Sequence, residues 1–132
     1  MKAIAYLAAI TTAATFATAA AQTSAPIKTR DFTVKQGATV QIGTYYLINT
    51  KSCQAGPIPK IVQTSKPTIG KLIIEETKVD PSQKQCNGFL IPANVVRFEA
   101  GDKAGTEKIT YEVVYHSKKL GTQKIENTIT VQ

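Results

Sequence analysis

From Lys108 to His116 the chain reads KITYEVVYH, and no other stretch limits the fold so tightly. Ile109, Tyr111, Val113 and Tyr115 recur every second residue, with Lys108, Thr110, Glu112 and Val114 between them. Successive side chains on extended backbone point to opposite sides, so a period of two marks a strand with one buried face. The first set is assigned to the core. Related segments recur along the chain: RDFTVKQ, TVQIGTYYLIN, IPKIVQT, GKLIIEET, NVVRFEA and KIENTITVQ are rich in Val, Ile and Thr and are separated by turn residues. None of them carries a 3.6-residue apolar stripe, and the gaps between them are too short for crossover helices. The pattern predicts an all-β fold, a β-sandwich of about seven antiparallel strands.

Local signals refine this expectation. Phe32 and Val34 share one face of the first strand, and Gly37 ends it. Gly43, inside an otherwise alternating run, predicts a bulge or a change of sheet. Pro57 and Pro59 stop regular pairing in KSCQAGPIPK, because proline cannot donate to a ladder. Lys118 to Gly121 reads as the turn of a closing hairpin, returning through Ile125, Asn127 or Thr128, Ile129 and Val131. Tyr111, near the start of the penultimate strand, is expected to send its hydroxyl to the preceding corner.

The first 21 residues, MKAIAYLAAITTAATFATAAA, have an early lysine, a modest apolar run and small residues at the end. This is the pattern of a secretory signal peptide, with cleavage after Ala21 preferred over cleavage after Ala19. The run is too short and too rich in Ala and Thr to span a bilayer, so no stable membrane insertion is expected. Residues 22–29 read as a flexible start and residues 30–132 as one domain. A periplasmic or secreted location follows. The absence of any N-x-S/T acceptor leans towards the periplasm.

The net charge is +7, and loss of Lys2 with the leader would leave +6. The lysines are scattered, with only Lys118 and Lys119 adjacent, and no basic tract is interleaved with aromatics. Nucleic acid is not an expected partner. Cys53 and Cys86 are 33 positions apart and have one possible connectivity. In an oxidising compartment a disulfide is the default. Neither cysteine has the C-x-x-C spacing or neighbouring histidine of a reactive thiol.

PTIGKL, with Pro67 and Gly70, VVRFEA, and AGTEKITYEV, with Gly105 and Tyr111, resemble bacterial immunoglobulin-like and cadherin-like extracellular domains. That resemblance covers residues 67–113. It implies an immunoglobulin-like sandwich in which Pro67, Gly70, Gly105 and Tyr111 are structural. It departs from the group at Ile69, Glu107 and Ile109, and in carrying a cysteine pair. It implies no particular activity.

Chemistry is sparse. Gly101-Asp102-Lys103-Ala104-Gly105-Thr106 lacks the spacing of a phosphate loop and precedes a strand rather than a helix, so both glycines are expected to be turn residues, a role that glycine suits by permitting positive φ. His116 and Ser117 are adjacent, and neighbours on a strand face opposite ways, so they form no dyad. One histidine, one initiator methionine and two paired cysteines supply no soft-ligand set. No catalytic, cofactor or metal site is expected. The candidate recognition loop is the stapled, proline-rich segment containing Gln54, Gly56, Pro57 and Pro59. The resulting expectation is an exported, non-catalytic module that binds an unknown envelope protein or anionic envelope polymer. An inhibitor of secreted hydrolases is the alternative, and a hydrolase built around His116 a distant third.

Overall fold

A computed structural model describes residues 27–132, and the expected signal peptide lies outside the described residues. Among the described residues nine strands run in order: β1 (Ile27–Val34), β2 (Thr39–Tyr45), β3 (Ile48–Asn49), β4 (Gln54–Ala55), β5 (Lys60–Gln63), β6 (Gly70–Val79), β7 (Ile91–Ala100), β8 (Gly105–Val114) and β9 (Thr122–Val131). Among the described residues the one helical element is a single 3-10 turn, Lys84–Cys86. One sheet has the order β1-β9-β8-β5 and the other β2-β7-β6, with β3-β4 as a separate ribbon. The all-β sandwich is present, with seven strands in its two sheets.

One pairing departs from the antiparallel expectation. β1 runs parallel to β9, in register from Ile27 opposite Lys124 to Val34 opposite Val131. Alternation reports only which face a side chain occupies, and the direction of the neighbouring strand leaves no trace in it. The strand also takes in Ile27, Lys28 and Thr29, which the sequence reading left in a flexible start.

The core lies between the sheets. Ile109, Tyr111 and Val113 of β8 are buried, as the period of two requires, and meet Val96 and Phe98 of β7 together with Ile42, Ile125, Ile129 and Val131. The register between β2 and β7 slips between Gln41 and Gly43, so the bulge expected at Gly43 is there. The tyrosine ring of Tyr45 fills the space above Gly43 that a side chain would need. β7 begins at Ile91, three residues before the expected NVVRFEA, and includes Pro92. β2 pairs with β7 only from Asn94 onward, so at Pro92 the strand has a neighbour on one side and the missing donor costs little.

The glycines of the 101–107 segment behave differently from expectation. Neither Gly101 nor Gly105 adopts a left-handed conformation; Gly105 is close to fully extended and opens β8. The turn is therefore shorter, ending before Gly105. Gly101 instead joins the sheet ends, donating to Ile69 at 2.9 Å and accepting from Gly37 at 3.1 Å. Gly121, with φ +58°, does supply the closing hairpin turn, where Tyr115 N–H donates to its carbonyl. Pro67 is half-buried in the β5–β6 connection, which is tied to β8 because Thr68 N–H donates to both Glu107 carboxylate oxygens, at 2.8 and 3.0 Å. Glu107 thus fixes the turn that the resemblance marks with Pro67 and Gly70.

Candidate functional site

The connections 46–59, 80–90 and 115–121 follow the ends of β2, β6 and β8 and lead into β5, β7 and β9. Pairing of Lys60 with Val114, of Tyr45 with Asn94 and of Val79 with Ile91 brings all three to the same end of the sandwich. This end holds two features with chemical content.

The first is the disulfide. Cys53 and Cys86 are bonded, with Cα atoms 5.4 Å apart, as expected. Cys53 follows the turn of the β3–β4 ribbon and has φ +57°, while Cys86 closes the 3-10 turn and is fully buried. The bridge therefore fastens the ribbon to the β6–β7 connection. Two further ties hold that connection: Ser82 N–H donates to the Tyr46 hydroxyl at 2.9 Å, and Gly88 N–H donates to Asp80 Oδ1 at 3.0 Å. Beyond the bridge, Phe89 and Leu90 stand in solvent, 58% and 62% exposed. Lys51 and Lys84 flank the bridge in the two segments it joins, and both are exposed.

The expected recognition residues divide. Gln54 and Pro57 are exposed on the stapled segment. Pro59 is buried, and its carbonyl accepts from the Asn94 side chain at 2.7 Å. Gly56 packs against Leu47, and its N–H donates to the Leu47 carbonyl at 2.8 Å. Both hold the crossover in place, Pro59 buried and Gly56 partly exposed. The exposed pair Phe89-Leu90 escaped the sequence reading because a short apolar dipeptide before a strand looks like more strand.

The second feature is a cleft of about 260 Å³ between β1, β9 and the end of β2, lined in part by Lys28, Arg30, Thr44, Tyr45, Gln123 and Asn127. Cross-strand partners share a face. Lys28 sits opposite Ile125 and Arg30 opposite Asn127, and both partners are buried on the inner face of β9. Lys28 and Arg30 thus share a face of β1 with Phe32 and Val34, but whereas Val34 is buried both cations are solvent-exposed at the start of the edge strand. The signal was present in IKTRDFTV, where two cations precede two apolar residues at a spacing of two. Arg30 also lies over the Phe32 ring, 5.2 Å from its centroid.

At the floor of the cleft a polar cluster crosses the core. The Tyr45 and Tyr111 hydroxyls hydrogen-bond at 2.6 Å, with the rings edge to face, and Asn127 Nδ2 donates to the Tyr111 hydroxyl at 3.5 Å. Asn127 is 1% exposed and its Oδ1 has no hydrogen-bond partner. Tyr111 is therefore not a corner anchor. Its hydroxyl meets a tyrosine from the opposite sheet instead of the backbone of its own. Sequence pattern placed the ring in the core correctly, but a hydroxyl's partner depends on which strand faces it, and that is a tertiary fact.

Burial pushes the phenols of Tyr45, Tyr111 and Tyr115 above their ordinary value, since a buried phenolate loses its hydration. For Tyr45 the hydrogen bond with Tyr111 and the charge of Arg30 work in the opposite direction but do not cancel burial. Below about pH 10 folded and unfolded chains both keep these protons. Above it the unfolded chain releases them while the folded one does not, so stability falls as pH rises. Tyrosinate absorbance in an alkaline titration is expected to appear in part with unfolding, and Tyr111→Phe should reduce that cooperative fraction. A wild-type titration that runs smoothly through pH 10 with the fold intact contradicts the buried pair.

The remaining candidates gather no chemistry. His116 is exposed just past β8, and Ser117 opens the hairpin turn. The Gly101-Asp102-Lys103 turn borders a cleft of about 330 Å³, with Lys71 and Glu99 paired across it at 3.6 Å. Among the described residues no three His, Cys, Asp or Glu side chains are grouped to hold a metal ion, and no helix is long and apolar enough to cross a membrane. Comparison of the chain with protein-family models, with curated proteins and with solved structures yields no match.

Proposed function

We propose that the protein is an exported, non-catalytic, immunoglobulin-like module whose stapled loop end docks on another envelope protein. The observation that carries this reading is the pair Phe89-Leu90, held in solvent on a connection fixed by the Cys53–Cys86 bridge and by the Tyr46 and Asp80 hydrogen bonds. Exposed apolar side chains on a pre-ordered backbone lose little entropy on docking, which is what a recognition surface requires. Lys51 and Lys84 beside the bridge favour a partner patch that is apolar at its centre and acidic at its rim. The order β2-β7-β6 in one sheet and β9-β8-β5 in the other matches the corresponding strands of an immunoglobulin sandwich, which supports the family resemblance. The disulfide supports an oxidising compartment.

Photo-crosslinking from position 54 or 57 in the native envelope is expected to trap one protein species with the parent chain and none with the Phe89→Asp, Leu90→Asp double variant. Both side chains are solvent-exposed, so the variant should keep its fold. Equal trapping by both chains would remove the docking assignment. Inhibition of secreted hydrolases through the same loop is the second reading, and it predicts loss of hydrolase activity with excess protein.

A further inference from the structure

Two cations of the edge strand β1, Lys28 and Arg30, line the cleft beside β9. Lys28 and Arg30 share a row with Phe32 and Val34, and their β9 neighbours Ile125 and Asn127 are buried. Both cationic side chains are solvent-exposed, so their charges are hydrated in the free protein and available to a ligand. Here they border an open cleft, while the three ion pairs found among the described residues, Lys71–Glu99, Arg97–Glu75 and Lys108–Glu126, all involve other side chains. At the floor is Asn127, with an acceptor oxygen unused in a nearly inaccessible position. Thr44 and Gln123 add a hydroxyl and an amide to the lining, and Ile42 and Ile125 add apolar wall.

We propose that this cleft binds a small hydroxylated carboxylate, of the size and chemistry of one acidic sugar unit. The planar guanidinium of Arg30 presents paired donors that match a carboxylate, and Lys28 adds a second positive charge at the mouth. The ligand hydroxyls then exchange bonds with Thr44 and Gln123 above the Asn127 floor, and a ring C–H face rests on the Ile42 and Ile125 wall. A volume of about 260 Å³ lies just below the range of drug-sized sites, about 300 Å³ upward, and suits one such unit rather than a long chain segment. The assignment is independent of the loop reading, because none of these residues belongs to the 80–90 connection.

The test is a titration of the protein at low salt with glucuronate, followed by amide and side-chain NMR shifts. Saturable shifts centred on Thr44, Gln123 and Asn127 are expected, with affinity falling about tenfold for Arg30→Gln as one charge-assisted contact is lost. Glucose, which lacks the carboxylate, and inorganic phosphate, which lacks the ring hydroxyls, should each bind at least about tenfold more weakly than glucuronate. Equal shifts with phosphate would overturn the proposal in favour of a general anion site. Absence of saturable shifts, or an unchanged affinity in Arg30→Gln, would overturn it outright. Lys28→Gln, exposed at the mouth, provides a second variant whose spectrum reports folding, and a weaker affinity is expected there too. The Phe89→Asp, Leu90→Asp protein should bind glucuronate normally, so failure of the loop reading and failure of this one are separable.

Discussion

Cys53→Ser, Cys86→Ser lowers the melting midpoint by on the order of 15 °C, measured by circular dichroism under non-reducing conditions. A bridge closing a loop of 33 positions removes unfolded-chain entropy equivalent to about 3 to 4 kcal/mol. For a domain of this size each kcal/mol moves the midpoint by roughly 4 °C. Total stability of such domains is about 5 to 15 kcal/mol, so the bridge is a large share. The loss should be local in character as well as global. With the bridge gone, the ribbon and the 80–90 connection are joined chiefly by the Tyr46 hydroxyl, so amide exchange in residues 82–90 should rise before exchange in β7 or β8. A midpoint within a few degrees of the parent would mean that the unfolded chain is already compact around this loop.

Gly70→Ala is expected to cost about 2 to 4 kcal/mol, read from the midpoint of urea unfolding. β6 and β7 approach each other so closely at the start of β6 that a Cβ on Gly70 would collide with the carbonyl oxygen of Glu99 and with the edge of the Phe98 ring. Backbone cannot step aside without breaking the ladder, and Phe98 is fully buried. Gly56→Ala makes the informative comparison, because there the added methyl meets only the flexible end and stem of the Leu47 side chain. That variant should lose less than half as much. If the two cost the same, the close approach at Gly70 is not what requires glycine there.

The sequence made the strands legible and left their partners obscure. KITYEVVYH announced its buried face because alternation is a local property, and Ile109, Tyr111 and Val113 are where it puts them. The cysteine pair was legible because two cysteines admit one connection. Gly70 was marked by resemblance and acquired a reason only when Phe98 and Glu99 were seen beside it. Asn94 and Asn127 are both buried, and alternation with Val96 and Phe98 and with Ile125 and Ile129 puts them on core rows without saying what satisfies their amides. Their burial depends on an acceptor or hydroxyl delivered by a distant segment, Pro59 in one case and Tyr111 in the other. Lys28 and Arg30 were the real oversight. Charge near an expected chain start reads as solvated tail, and only the parallel register with β9 places these exposed side chains beside the cleft.

That same register determines how the domain bears load. β1 and β9 point the same way, so Ile27 lies at the loop end and Gln132 at the opposite end. Tension applied between these residues pulls the two strands along their own length in opposite directions. Their hydrogen bonds, spread over eight paired positions, are strained together in shear instead of being opened one by one as in a peeled hairpin. Stretched from its ends, the domain is a mechanical clamp whose lifetime is set by its unfolding rate under force, and the outermost strand in the sheet is the first part of it to resist.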